Sequence, residues 1–204
     1  MKPTVYIFFG IIFCIILYFF FFSNSKEITN YPSNGSTIVA FGDSLVEGVG
    51  STKDNDFVSV LSQQINQPII NLGKSGDTTR DGLARLDELI NQDPKIVLLL
   101  LGGNDYLRKI SQTETFENLT KIIGTIHESG SIVVLLGVRG GILKDNFKDE
   151  YETLARVYGV AYVPDVLRGL IGQSDLMYDA IHPNDDGYQI ISGRIEPVIT
   201  NLIK

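Results

Sequence analysis

Ile38-Val39-Ala40-Phe41-Gly42-Asp43-Ser44-Leu45 runs four apolar residues straight into Gly-Asp-Ser. A continuous apolar run of this kind fits a strand covered on both faces, as in a parallel sheet, better than a half-exposed strand that alternates polar and apolar residues. Comparable runs recur along the chain, and the set is Thr37–Phe41, Ile69–Leu72, Ile96–Leu101, Ile132–Leu136 and Val160–Val163. Amphipathic helical patterns separate them. Phe57, Val60, Leu61 and Ile65 follow a cap at Asp54 or Asn55, and Leu83, Leu86, Leu89 and Ile90 follow Thr78. Phe116, Leu119, Ile122, Ile123 and Ile126 follow Thr113; Phe147, Tyr151, Leu154 and Val157 form a fourth pattern. The last starts near Asn184 with Tyr188, Ile191 and Ile195, and Gly193 and Pro197 are candidate break points in it. Strands alternating with helices predict βαβ units, a parallel five-stranded sheet and a three-layer α/β/α sandwich.

Residues outside the strands and helices bound the function. The chain has 204 residues, 44% hydrophobic and 20% charged, which suits one domain with a substantial core. A formal net charge of -7, with only 17 Lys and Arg and no basic stripe, excludes a nucleic-acid surface. The single cysteine, Cys14, lies in the N-terminal apolar run, so the rest of the chain forms neither a disulfide nor a Cys-ligated metal site. No metal and no cofactor are expected. From Val5 to Phe22 every residue is apolar, aromatic or Gly10, which is about the length of a bilayer-crossing helix. The run ends in aromatics where a signal peptidase wants small residues, which favours an uncleaved anchor over a cleaved signal and secretion. Phe13 before Cys14 argues against lipoprotein processing. Lys2 precedes the run while Lys26 and Glu27 cancel beyond it, which leaves the N-terminus in the cytoplasm and the domain outside. The expected organisation is an anchor over residues 1–25, a Ser/Asn/Pro/Gly linker over 26–36 and a domain over 37–204, acting as a monomer.

In open parallel sheets the functional site lies beyond the carboxyl ends of the strands. Ser44 follows the first strand, Gly73 to Asp77 the second, and Gly102-Gly103-Asn104-Asp105 the third, so all three polar clusters point to one edge. A serine there either caps a turn or acts as a nucleophile, and the second role needs a base. His127 falls within a helical pattern and reads as a boundary residue. His182 lies in Tyr178-Asp179-Ala180-Ile181-His182-Pro183-Asn184, where Asp179 can fold back on one ring nitrogen while the other faces a serine. The same two residues could equally shape the turn into the last helix, with Pro183 at its start. Gly76 can offer an unhindered N–H and Asn104 a side-chain amide to a developing oxyanion. Each has a plainer alternative, a positive backbone dihedral for Gly76 and a turn cap for Asn104.

Four blocks in order carry a family resemblance. They are Gly42-Asp43-Ser44-Leu45, Gly76 within Ser75-Gly76-Asp77-Thr78, Gly102-Gly103-Asn104-Asp105, and Asp179-Ala180-Ile181-His182-Pro183. From about Thr37 to the C-terminus the chain resembles the SGNH (GDSL) hydrolases. Gly82-Leu83-Ala84-Arg85-Leu86 makes it most similar to their bacterial periplasmic thioesterase, lysophospholipase and arylesterase branch. The resemblance implies a flavodoxin-like sandwich with Ser44 as nucleophile, His182 as base and Asp179 as the orienting acid. It also implies an oxyanion hole built from the Ser44 N–H, the Gly76 N–H and the Asn104 amide. The implied substrate is a small-molecule acyl ester, thioester or lipid. A carbohydrate O-acetylesterase and a catalytically silent tethered binding protein stand as alternatives. The segments Tyr106–Ser111 and Arg139–Asn146 are expected to line an acyl groove, with Leu107, Ile142 and Leu143 as wall residues. Nucleotide binding is excluded: the glycines around Ser44 fit neither phosphate-binding fingerprint, and Val46 stands where a nucleophile elbow has its second glycine.

Overall fold

The computed structural model describes residues 27–139 and 147–203. Five strands form one parallel sheet: β1 (Thr37–Gly42), β2 (Ile69–Gly73), β3 (Pro94–Leu100), β4 (Ile132–Leu136) and β5 (Ala161–Val163). Their order is β2-β1-β3-β4-β5, the flavodoxin-like arrangement with a topological switch point between β1 and β3. All residues of β4 are buried, as are Ile38–Gly42 of β1 and Ile96–Leu100 of β3, which is why these segments read as unbroken apolar runs. Edge strand β2 has no fully buried residue, and its Asn71 is exposed, while in edge strand β5 Tyr162 is the part-exposed residue.

Eight helices connect and flank the described strands: α1 (Ser44–Glu47), α2 (Phe57–Ile65), α3 (Thr79–Ala84), α4 (Leu86–Ile90), α5 (Gly103–Leu107), α6 (Gln112–Glu128), α7 (Lys148–Tyr158) and α8 (Asp185–Thr200). They pack as two groups, α2 with α8 and α3, α4 and α7 with α6. The buried faces of both groups and both faces of the sheet share one apolar core.

Local chemistry explains where the elements begin and end. The α2 cap is Asp56, whose Oδ1 accepts from the Val58 and Ser59 amides; Asp54 takes φ +65° and Asn55 closes a turn on Thr52, so neither is free to cap. Thr78 and Asp81 form a reciprocal capping box for α3. The pattern from Thr78 to Ile90 predicts one helix, but Arg85 splits it in two. Its side chain is drawn inward, donating to Asp77 Oδ2 at 2.6 Å and to the Gly42 carbonyl at 2.9 Å while lying 4.1 Å from the Phe41 ring centre. Ser111 rather than Thr113 caps α6. The last helix runs unbroken through Gly193 and Pro197.

Residues 27–36 lie across the amino ends of the strands, the edge opposite to Ser44. The Thr29 amide and hydroxyl donate to the carbonyls of Gly159 and Tyr158, and Asn30 Nδ2 donates to those of His127 and Ser131. Ser33 Oγ donates to Gly130, and Ser36 binds Asp93 through both its amide and its hydroxyl. Among the described residues no helix is long and apolar enough to cross a membrane. The run Val5–Phe22 and its expected anchor role lie outside the described residues, as do Ile142 and Leu143.

Candidate active site

The carboxyl edge of the sheet gathers the residues singled out from sequence. Ser44 opens α1 directly after β1, where Asp43 caps the turn by accepting from the Leu45 amide at 3.0 Å. His182 arrives from the other end of the chain on a loop closed by the Met177–Pro183 bridge and by the Tyr178 amide donating to the His182 carbonyl. Two contacts seat that loop against the segment after Ser44. Thr52 donates its amide and hydroxyl to the Asp185 carboxylate at 2.7 and 2.6 Å, and the Tyr188 hydroxyl donates to the Val49 carbonyl at 2.8 Å. Gly50 permits the approach: at φ +98° it has no Cβ where one would stand 2.5 Å from the Pro183 carbonyl oxygen.

These contacts leave a continuous hydrogen-bonded chain of three side chains. Ser44 Oγ lies 3.0 Å from His182 Nε2, and His182 Nδ1 lies 2.8 Å from Asp179 Oδ2. The second carboxylate oxygen, Oδ1, accepts from the amides of Ile181 and His182 at 2.9 and 2.7 Å, fixing the carboxylate's orientation. The bond to His182 and these amides hold the Asp179 carboxyl down at about 2. It is therefore an anion facing the imidazole at any working pH. Asp43 behaves oppositely. Burial pushes its carboxyl up to about 7, against the opposing pull of the Leu45 amide.

Gly76 adopts φ +85° beside the Arg108 guanidinium, which donates to its carbonyl at 2.7 Å. Asn104 spends one amide hydrogen on the Asp77 carbonyl at 3.0 Å. Ser44, Asn104 and His182 line one cleft of about 410 Å³, and Leu45, Leu107, Val138, Leu167, Ile171 and Ile181 give it apolar walls. Leu107 is 53% exposed and lines this cleft. The wall from Leu167 to Ile171 is absent from the sequence reading, although the carboxyl-end rule applied to β5 points to it. His127 lies far from this cleft on α6, half-buried, with its pKa lowered by desolvation. A larger open groove of about 680 Å³ between α6 and α7 contains no serine–histidine pair.

Comparison with known proteins bears on family and fold. The sequence model of the GDSL-like lipase/acylhydrolase family matches residues 40–190. The chain is 34% identical to an arylesterase of Vibrio mimicus over 82% of its own length and 88% of the relative's. It is 29% identical to thioesterase 1/protease 1/lysophospholipase L1 of Escherichia coli, covering 85% and 90% of the two chains. The crystal structure of TesA superposes with a TM-score of 0.75 at 28% identity, over 82% of this chain and 99% of that one. With the matched span holding the Gly-Asp-Ser turn, the Asp-to-His loop and strands β2 to β5 between them, the chain belongs to the GDSL-like lipase/acylhydrolase family and is an ester-hydrolysing enzyme.

Proposed function

We propose that the protein is a serine hydrolase of acyl esters or thioesters, with Ser44 as nucleophile, His182 as general base and Asp179 as the residue that orients and charges the imidazole. The observation that carries this reading is the Ser44–His182–Asp179 chain, at 3.0 and 2.8 Å, opening into an apolar cleft. Ser44 Oγ attacks the acyl carbonyl as His182 Nε2 takes its proton. The Ser44 N–H, the Gly76 N–H and the Asn104 amide stabilise the oxyanion; the second Asn104 hydrogen is available because only one is bound to Asp77. Collapse expels the alcohol or thiol, which His182 protonates, and leaves an acyl-enzyme. Water, deprotonated by the same histidine, then attacks, and the free acid departs as Ser44 regains its proton. Neither a metal nor a cofactor takes part in this scheme.

Apolar walls favour an acyl chain over the acetyl group of a sugar, whose polar ring would meet Leu107, Val138 and Ile171. The test is a series of p-nitrophenyl esters from acetyl to long acyl, with Ser44→Ala as control. Turnover that rises beyond acetyl and vanishes in the variant supports the reading. Turnover confined to acetyl points to a carbohydrate deacetylase, and none to a silent binding protein.

We further propose that Val5–Phe22 anchors the chain with its domain outside the cytoplasm. Residues 27–36 lie across the amino ends of the strands, so the chain leaves the domain at the edge opposite to Ser44. Ser23 to Lys26 can span at most about 14 Å, shorter than the roughly 23 Å of a seven-residue strand. In this arrangement the cleft faces away from the anchoring membrane and acts on substrate delivered from solution.

A further inference from the structure

Beneath the cleft lies a buried polar cluster that the proposed chemistry leaves unused. Asp105, the third residue of α5, is fully buried. Its Oδ2 accepts from the Thr79 amide at 2.9 Å and its Oδ1 from the Thr79 hydroxyl at 2.5 Å, with the Thr115 hydroxyl at 3.3 Å. Asn118 donates to the same Thr79 hydroxyl at 3.2 Å. Thr79 and Thr115 are as deeply buried as Asp105. A buried carboxylate with this many donors is held firmly, and it holds its partners in turn.

The placement gives the cluster a consequence for the site. Asp105 follows Asn104 directly, and Thr79 lies three residues after Gly76. Two other bonds join the same segments, Asn104 Nδ2 to the Asp77 carbonyl and Arg108 to the Gly76 carbonyl, but the first is only part-buried and the second is exposed. The Asp105–Thr79 pair is the water-excluded one. Asp77 and Arg85 extend the connection to the Gly42 carbonyl at the end of β1, beside Ser44.

We infer that Asp105 is a positioning residue that sets the spacing of the Asn104 and Gly76 oxyanion donors by fixing α5 to the start of α3. The inference rests on the oxyanion-hole reading above. A displacement of about 1 Å in a reacting geometry can cost about 10²-fold in rate. Freeing α5 therefore lowers kcat by about 10- to 100-fold in Asp105→Ala and leaves KM nearly unchanged. Asp105→Asn keeps an acceptor for the Thr79 amide and recovers most of the loss.

The experiment is a double-mutant cycle with Asn104→Ala, measured on the full chain in detergent with a soluble ester. If Asp105 acts through Asn104, its substitution adds less than about threefold once Asn104 is gone. Thr79→Val, which retains the amide donor and removes the hydroxyl, provides the same cycle should Asp105→Ala not fold. Its smaller loss of kcat must also disappear in the Asn104→Ala background. Equal losses in both backgrounds, or a loss seen only in KM, would overturn the positioning role. Full activity in Asn104→Ala alone would remove the oxyanion-hole reading, and the inference with it.

Discussion

Asp43→Asn should stabilise the protein above neutral pH and do little at pH 4. The Asp43 carboxyl is only 2% exposed, and burial raises its pKa from 3.8 to about 7. A raised carboxyl binds its proton more tightly in the folded state, so folding costs more as pH rises. The neutral form leaves stability intact below about pH 4, and the penalty grows through the interval up to about 7, where the folded group finally ionises. A difference of about three units corresponds to at most about 4 kcal/mol. Asparagine keeps an acceptor for the Leu45 amide, so the α1 cap survives while the buried charge does not. At about 2–4 °C per kcal/mol for a domain of this size, the variant gains up to roughly 16 °C in Tm at pH 8 over wild type. Thermal unfolding of both proteins from pH 4 to 9 measures this difference. A Tm difference that stays constant across the range would refute the reasoning, because a cap or packing effect carries no proton.

Three further predictions concern Asp179 and the segment that leads into the domain. Asp179→Ala should lower kcat/KM by about 10³- to 10⁴-fold, since the imidazole loses its orienting anion; in wild type the Asp179 contribution to stability should be full above the ordinary value of 3.8 and fade as pH falls to about 2, as urea titrations at pH 2–5 of wild type and Asp179→Ala would show. Inserting about 20 Gly/Ser residues between Ser25 and Lys26, a coil of roughly 25 Å, should raise hydrolysis of an acyl ester embedded in the same vesicles as the protein, with soluble-ester turnover unchanged. Equal vesicle activity with and without the insert would contradict the outward-facing cleft.

Sheet and site were legible to different depths. Ile132–Leu136 reads directly as a strand because both its faces are buried, and β1 and β3 differ from expectation only at their ends. The one-turn helices α1 and α5 carry too few residues for any periodicity, and Ser44 and Asn104 sit on them. Residue type and strand end located those two residues; local pattern could not. The break at Arg85 was hidden because a basic residue within a helical pattern ordinarily faces water, whereas this one pairs with Asp77 inside the protein. For the same reason Asp105 reads as part of a turn until Thr79 is seen across from it. Asp179 and His182 read as three residues apart on a loop, and only the fold brings Ser44, 138 positions away, within 3.0 Å of the ring.

The central claim is that Ser44 is the nucleophile, and the most direct test is covalent capture. The full chain is treated with an alkyl fluorophosphonate and digested, and the adduct is located by peptide mass while p-nitrophenyl ester turnover is followed. The account predicts one adduct, on Ser44, forming in step with loss of activity, and neither adduct nor turnover in Ser44→Ala. An adduct on another residue, or turnover that survives in Ser44→Ala, would contradict it.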